Sequence, residues 1–360
     1  MKNINKVICG LGVAFLGLTA FTSCEEETHP TSYATIDQMA QSSSATEALL
    51  SAVPASYNSI WYSSAHYSWG YGSLMRVRDV MTGDFATVES GRDWYDAWES
   101  CYYIGKQYLA SQFIWNYYYK MVLTANNLIN GLDSTKATTD QLGYLGVGYA
   151  ERAMMYLDMA RMYEFLPNEK FPDGKNENGN DVTGLTVPIV KAGMNEDSAR
   201  VNPRATRAQM AAFILDDLDR AESLTPHLSS TRSKTLPDLA CVYGLKARFY
   251  MWLENYPKAQ EYARKAINAS GLSPMTEDEA LNPSTGFNTA DPWMWASTLT
   301  AENELVESGI LNWTSWMSNE TQYGYASAGP YIMIGKSLYD RISDTDWRKL
   351  VLKDWAPQQK

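Results

Sequence analysis

Tryptophan and tyrosine are the residues of this chain whose chemistry is most informative. The sequence holds 12 Trp and 24 Tyr against 9 Phe. Trp and Tyr combine a flat apolar face with a polar edge, which suits a surface that must bind a partly polar ligand. Pyranose rings stack on such faces through their C–H groups, while Asn, Asp, Arg and Tyr side chains bond the sugar hydroxyls. The composition therefore favours a sugar-binding surface over a catalytic centre.

Many of the aromatic residues fall in two stretches without helical or strand periodicity, 66–98 and 292–331. Long irregular loops on a rigid scaffold commonly carry function, so both stretches are candidate binding surfaces. The second stretch clusters Trp293, Trp295, Trp313, Trp316, Tyr323 and Tyr325. We assign to core packing the rings that lie on helical stripes or in an apolar turn: Trp115, Tyr156, Tyr163, Tyr243, Tyr250 and Trp295.

Motifs for nucleophilic, phosphate or metal chemistry are absent from the sequence. The histidines are His29, His66 and His227, and no His-Glu-x-x-His, Gly-x-Ser-x-Gly, P-loop or paired Cys-x-x-Cys pattern occurs. A glycosidase needs only two facing carboxylates. Because the sequence has 41 acidic residues, an alternative function is that of a hydrolase that is itself a lipoprotein.

Amphipathic helices are predicted to position the irregular stretches. Residues 94–132 predict one long helix or two in sequence, with Gly131 at the end and Asn126 as a structural amide on the apolar stripe. Thr138 with Gln141 and Thr206 with Gln209 predict capping boxes that begin two further helices. Residues 36–53 are weakly helical, interrupted by serines 42–44 and closed by Pro54.

Residues 235–271 predict a helical hairpin. Ala240, Tyr243, Ala247 and Tyr250 recur at steps of three and four, which places them on one helical face. After the turn at residues 255–257, the alanines Ala259, Ala263 and Ala266 continue the pattern. The hairpin resembles a tetratricopeptide repeat of about 34 residues, and about three such units are needed for a stable array.

The N-terminus predicts a lipoprotein signal. Lys2 and Lys6 precede an apolar run that is too short to span a bilayer permanently, and small residues precede Cys24. Cys24 is then the acylated first residue of the mature chain, and Glu25 to Glu27 resemble a surface-export signal of Bacteroidetes lipoproteins. A solvated linker is the alternative for these glutamates.

The net charge argues against nucleic acid as a ligand. The formal charge of −11 becomes −13 without residues 1–23, which carry two lysines and no acids. Such a chain repels nucleic acid.

Cys101 and Cys241 are predicted as buried thiols, with a disulfide as the alternative. The loop 171–204 is predicted as a plain polar loop without a cofactor; calcium bound by Asp173, Asn176, Asn178, Asn180 and Asp181 is the weaker alternative.

Three segments together resemble the SusD/RagB family of outer-membrane nutrient-binding lipoproteins. The first runs from Tyr149-Ala150-Glu151-Arg152-Ala153 to Pro167, and the second joins residues 184–190 to Pro203-Arg204-Ala205-Thr206 and residues 216–221. The third is the hairpin. Residues 344–349 add an aspartate–arginine segment that the family also carries, and family members usually continue considerably further.

The resemblance implies a mainly α-helical fold in which tetratricopeptide-like hairpins support long ligand-binding loops. The expected organisation is a signal peptide over 1–23, a tether over 24–35, a helical scaffold over 36–272 and an incomplete loop-rich ligand-binding portion over 273–360. In the family, the ligand site is generally made by loops from the two aromatic parts of the chain. The resemblance therefore implies glycan-stacking and polar ligand contacts at Trp69, Trp94, Trp313, Trp316, Tyr323, Arg92, Asp93, Asn312 and Asn319.

The resemblance also implies a function and a partner. The expected protein is a non-catalytic, surface-exposed lipoprotein in the outer membrane that captures oligosaccharides and delivers them to a SusC-like TonB-dependent transporter. The alternative is a peptide-capturing or protein-binding repeat scaffold.

Overall fold

The computed structural model describes residues 42–62, 65–87, 95–99, 101–102, 104–169, 171–284, 289–307 and 333–352. The described part of the chain is mainly α-helical, as predicted. Its α-helices are α1 (Ser43–Ser56), α2 (Gly70–Thr82), α3 (Asp96–Glu99), α4 (Leu109–Asn130), α5 (Thr139–Tyr163), α6 (Glu196–Arg200), α7 (Arg207–Leu224), α8 (Leu239–Trp252), α9 (Tyr256–Ser270), α10 (Glu277–Ala280), α11 (Glu304–Glu307) and α12 (Lys336–Tyr339). The two strands in this part are β1 (Phe85–Ala86) and β2 (Met333–Ile334). No helix in it is long and apolar enough to cross a membrane.

The predicted capping boxes begin two of the long helices. The Thr138 side chain accepts a hydrogen bond from Gln141 N, and the Gln141 side chain accepts one from Thr138 N. Thr206 and Gln209 make the same reciprocal pair at the start of α7. Each pair satisfies two backbone N–H groups that the helix itself cannot bond, which confirms both predicted starts.

The predicted hairpin is formed by α8 and α9. Ala240, Ala247, Ala259 and Ala266 are buried between the helices and their neighbours. The rings of Tyr250 and Tyr262 stack with their centroids 5.4 Å apart. Gly271 ends α9 in the left-handed conformation, which glycine adopts without steric cost.

Helix α5 is the centre of the core. It is buried over most of its length and packs against α4 on one side and α7 on the other. A β-carbon at Gly146 would lie 2.6 Å from Thr225 N, so glycine permits the close approach of the segment after α7. The position of α5 means that its polar residues must find partners inside the protein.

Buried ionic groups join the helices at α5. Arg152 is 5% exposed and bonds both carboxylate oxygens of Asp217 on α7, at 2.7 and 2.8 Å. Arg152 also donates to Asn126 Oδ1, and Asn126 Nδ2 donates to Val190 O. Asn126 is therefore the structural amide that the sequence predicts.

Asp158 forms a second buried junction on α5. It is fully buried and accepts bonds from the hydroxyls of Tyr71 on α2 and Tyr118 on α4. The guanidinium groups of Arg78 and Arg248 lie 3.1 and 3.0 Å from its carboxylate oxygens. One carboxylate thus ties α2, α4, α5 and α8 together.

Three local predictions need correction. Helix α1 begins within the serine cluster because Ser42 caps it, and it continues past Pro54 to Ser56. The stretch after Ser56, predicted as irregular, contains α2. Cys101 is an exposed free thiol in a turn, since its φ of +54° excludes the helical conformation, whereas Cys241 is buried and free as predicted.

Candidate ligand-binding site

The segment between α1 and α2 folds back on itself. Ile60 and Trp69 form an isolated antiparallel bridge, and Trp61 N donates to Ser68 O at 3.1 Å. The Ser68 hydroxyl accepts from Tyr62 N. This loop therefore has a defined backbone hydrogen-bond network although its sequence has no periodicity.

Trp69 lies inside this loop and not on its surface. The side chain is 1% exposed, and its Nε1 donates to Tyr62 O at 3.1 Å. A sugar ring could not reach either face of such an indole. The prediction of Trp69 as a stacking platform is wrong, because the folded loop buries the ring and bonds its Nε1 to Tyr62 O.

Half-buried aromatic side chains surround the same loop. The ring of Trp61 lies 6.1 Å from that of Phe113 on α4, and Lys120 Nζ lies 5.6 Å above Trp61. Tyr67 packs edge-on against the buried Trp98 at 5.7 Å. Trp61 and Tyr67 are only half-buried, so part of each ring is exposed and could contact a ligand.

The strand pair joins the first aromatic region to the residues that directly follow the second one. Ala86 pairs with Met333 and Phe85 with Ile334 in an antiparallel register, and Gly335 N donates to Asp84 O at 2.8 Å. A β-carbon on Gly335 would lie 2.0 Å from Gly83 O. The residues that precede segment 88–94 are therefore bonded to those that follow segment 308–332.

A second link joins residues just after α1 to the second aromatic region. Asn58 Nδ2 donates to Thr298 O at 3.2 Å, and Ser297 Oγ donates to Asn58 Oδ1 at 3.0 Å. Ile60 N donates to the carboxylate of Glu304 at 3.3 Å. Sequence reasoning missed Asn58 and Glu304, because a half-buried amide and an exposed acid carry no local signal of a bond across more than 200 residues.

Tyr57 connects the residues after α1 to the helical core and to Trp295. Its ring packs edge-on against Tyr71 at 5.4 Å and against Trp295 at 6.3 Å. Trp295 is half-buried and its Nε1 donates to Thr235 O, as expected for a packing residue. The Tyr57 hydroxyl donates to the carboxylate of Glu151 on α5.

Glu151 is a titratable group near the links whose pKa is strongly perturbed. It is 2% exposed, and burial raises its pKa from 4.5 to about 8, while the bond from Tyr57 lowers it. A raised pKa is typical of catalytic acids. Glu151, however, is buried in the core between α5 and Tyr57, where a substrate could not contact its carboxyl group. We therefore assign it a structural role.

Most of the predicted ligand contacts lie outside the described residues. Trp94, Arg92 and Asp93 belong to the segment between β1 and α3, and the predicted contacts in the segment between α11 and β2 are Trp313, Trp316, Tyr323, Asn312 and Asn319. The predicted lipidation residue, Cys24, also lies outside them. Two segments that hold eight of the predicted contacts thus begin or end at β1 and β2.

The loop proposed as the weaker calcium alternative is built from turns. The Asn176 side-chain oxygen accepts from Asn178 N and Asn180 N, both at 3.0 Å, and Asp181 accepts from Thr183 N. Within the described ranges, no group of three or more His, Cys, Asp or Glu side chains is placed to hold a metal ion.

Solved structures share this fold at low sequence identity. A SusD-like carbohydrate-binding protein from Bacteroides vulgatus ATCC 8482 aligns with a TM-score of 0.66 and 21% identity, over 85% of this chain and 59% of that one. A SusD superfamily protein from Bacteroides fragilis aligns with a TM-score of 0.61 and 18% identity, over 87% of this chain and 67% of that one. The chain thus spans about three fifths to two thirds of the length of these structures.

Sequence comparison identifies the family. No curated protein sequence matches the chain. Residues 29–251 match the model of a SusD-like family described as starch-binding and associating with the outer membrane. This match covers more than half of the chain and confirms the resemblance seen in the sequence. The chain belongs to the SusD-like family.

Proposed function

We propose that this protein captures oligosaccharides at the site where its two aromatic regions meet and delivers them to a TonB-dependent transporter of the SusC type. The observation that carries the proposal is the pairing of β1 with β2. This pairing joins the flanks of the segments that hold Trp94, Trp313 and Trp316. Aromatic residues from both segments would then provide stacking faces for one ligand.

The polar candidates have a defined role in this proposal. Arg92, Asp93, Asn312 and Asn319 would bond the hydroxyls of the stacked sugar, since their side chains provide both donors and acceptors. Binding by stacking and hydrogen bonds requires no bond cleavage, and the proposed protein releases its glycan unchanged. Mass spectrometry of a bound oligosaccharide, before and after long incubation with the protein, tests this part. A shortened product would favour the hydrolase alternative.

The test of capture is retardation in native gels that contain a glycan. The predicted mature chain, carrying Cys24→Ser so that it is not lipidated, is run with plant, host and microbial polysaccharides. We expect one glycan class to retard the protein and Trp313→Ala or Trp316→Ala to abolish the retardation. Tyr256→Ala is the control, because Tyr256 is 58% exposed at the start of α9, outside both aromatic regions. Absence of retardation by every glycan, with folded protein, would overturn the proposal.

The proposed location follows from Cys24. Acylation of this cysteine would hold the protein in the outer membrane, since each buried CH₂ group contributes about 0.8 kcal/mol. The transporter would then lie in the same membrane. Metabolic labelling with palmitate should mark the wild type and not Cys24→Ser, and co-purification from membranes should recover a TonB-dependent transporter. Equal labelling of both variants would contradict the assignment of Cys24.

A further inference from the structure

An exposed apolar ridge lies between α3 and α4. Tyr102, Ile104 and Leu109 are 65, 50 and 61% exposed. Isolated apolar side chains on a surface need no explanation, but a contiguous patch marks an interaction site. Three such side chains lie within eight residues, on a segment that follows the first aromatic region in the sequence, which makes this segment a candidate binding surface.

The aromatic members of this ridge are Tyr102 and Tyr108. Their ring centroids lie 6.2 Å apart, with 47° between the planes. Tyr108 is half-buried and Tyr102 is exposed, so the more buried ring supports the more exposed one. Tyrosine suits this position because its ring is apolar while its hydroxyl can bond water or a ligand.

Backbone bonds hold the ridge in place. Ile104 N donates to Cys101 O at 3.2 Å, and Tyr108 N donates to Gly105 O at 3.1 Å. Gly105 N donates to Ser111 Oγ at 3.0 Å. The ridge is thus a pair of hydrogen-bonded turns tied to the first turn of α4. A ring on such a segment loses less conformational entropy on binding than a ring on a free loop.

Two polar residues lie between the two tyrosines in the sequence. Lys106 and Gln107 are exposed, and Lys106 Nζ lies 3.4 Å from the carboxylate of Glu177. Both side chains of this ion pair are largely exposed, and such pairs contribute little to stability. The ammonium group is consequently available to bond a ligand hydroxyl, as is the amide of Gln107.

The ridge adjoins the strand pair. Thr87, the residue after β1, donates through its hydroxyl to the carboxylate of Glu99 at 3.2 Å. Glu99 ends α3, three residues before Tyr102. We propose that Tyr102 and Tyr108 form a sugar-stacking subsite at the edge of the site described above, with Lys106 and Gln107 bonding hydroxyls of the stacked unit. The ligand class is a pyranose unit of the same oligosaccharide, so this inference rests on the proposed function.

A subsite at the edge makes a specific prediction about chain length. Short oligosaccharides that fill only the central site should bind Tyr102→Ala and wild type equally. Longer oligosaccharides should bind Tyr102→Ala about 3- to 10-fold more weakly, the range expected for one aromatic contact. Tyr102→Phe should retain most of the affinity because it keeps the ring.

Isothermal titration with a length series of the retained glycan measures these dissociation constants. Tyr256→Ala is the matched control, since Tyr256 is exposed to a similar extent on α9. Equal affinities of Tyr102→Ala and wild type at every length would overturn the subsite while leaving the proposed function intact. For the longest oligosaccharides, loss of binding in Trp313→Ala together with unchanged binding in Tyr102→Ala would likewise overturn the subsite alone. A wild type that binds no glycan would overturn both proposals.

Discussion

Replacing Glu151 by glutamine should change how the free energy of unfolding depends on pH. The Glu151 carboxyl is 2% exposed, and the Tyr57 hydroxyl donates to one of its oxygens. The other oxygen, Oε1, is a buried atom without a hydrogen-bond partner in the part of the chain that the structure describes. Burial raises the pKa from 4.5 to about 8, because a charge in this position would lose its hydration.

The sign of the effect follows from proton binding. Between pH 4.5 and pH 8, the folded state holds the proton on Glu151 and the unfolded state does not. Below pH 4.5 the protonated carboxyl contributes its full stabilisation of the folded state. Between pH 4.5 and pH 8 the folding equilibrium constant decreases about tenfold for each pH unit. Across this window the loss amounts to about 5 kcal/mol, and glutamine removes it because its amide does not titrate.

Urea unfolding at pH 5, 6, 7, 8 and 9 measures the effect on the predicted mature chain. The stability of Glu151→Gln relative to wild type should increase steadily up to pH 8 and then level off. Any constant offset from the unpaired amide group does not alter this slope. Glu254→Gln, at the exposed turn between α8 and α9, is the matched control and should follow the wild type.

A second variant tests the role of Tyr57. The bond from the Tyr57 hydroxyl lowers the pKa of Glu151, so Tyr57→Phe should raise that pKa and extend the loss of stability to higher pH. The same substitution in a Glu151→Gln background should lack this pH dependence. Parallel pH profiles of Glu151→Gln and wild type would refute the reasoning, since they would mean that the folded and unfolded states bind this proton equally.

Two further substitutions test the packing of the scaffold and the strand pair. Asp217→Ala should lower the free energy of unfolding by about 3–5 kcal/mol, because it leaves the buried guanidinium of Arg152 without its carboxylate; a loss below about 1 kcal/mol in urea unfolding would contradict this. Gly335→Ala should separate β2 from β1, since the new methyl group would clash with Gly83 O. Amide hydrogen exchange in both strands should then accelerate, whereas Gly244→Ala, which has open space around it, should leave that exchange unchanged.

Helix ends and the hairpin were predictable because their signals are local. Thr138 and Gln141 lie three residues apart, and each satisfies a backbone group of the other. Gly271 ends α9 for an equally local reason, since the left-handed conformation favours glycine. Such features depend on residues within one helical turn, so a single sequence contains the information.

Helix α2 carried a signal that the sequence interpretation missed. Leu74, Val77 and Val80 recur at steps of three and are each 1% exposed. The glycines and serines before them obscured this period. Gly70 has a φ of +81°, and a β-carbon there would lie 2.4 Å from Tyr57 O. The glycine that suggested an irregular loop is instead required by the close approach at the start of the helix.

The buried charges of α5 could not be predicted from local pattern. Glu151, Arg152 and Asp158 interrupt an apolar helix, and such residues usually indicate a solvated face. Here Arg152 meets Asp217 from α7, 65 residues away, and Asp158 meets Arg248, 90 residues away. Their burial depends on which helices surround α5, and this information is distributed over the whole fold.

Trp69 and Tyr102 show why exposure of an aromatic residue in an irregular segment could not be predicted from the sequence. An aromatic residue in an irregular segment is exposed or buried according to where the backbone turns, and the folded loop buries the ring of Trp69. Tyr102 is the opposite case, because its turn leaves the ring 65% exposed. Composition alone treats both residues as equivalent candidates. The folded backbone leaves the Trp69 ring buried and the Tyr102 ring exposed, which is why the proposed subsite uses Tyr102 and Tyr108.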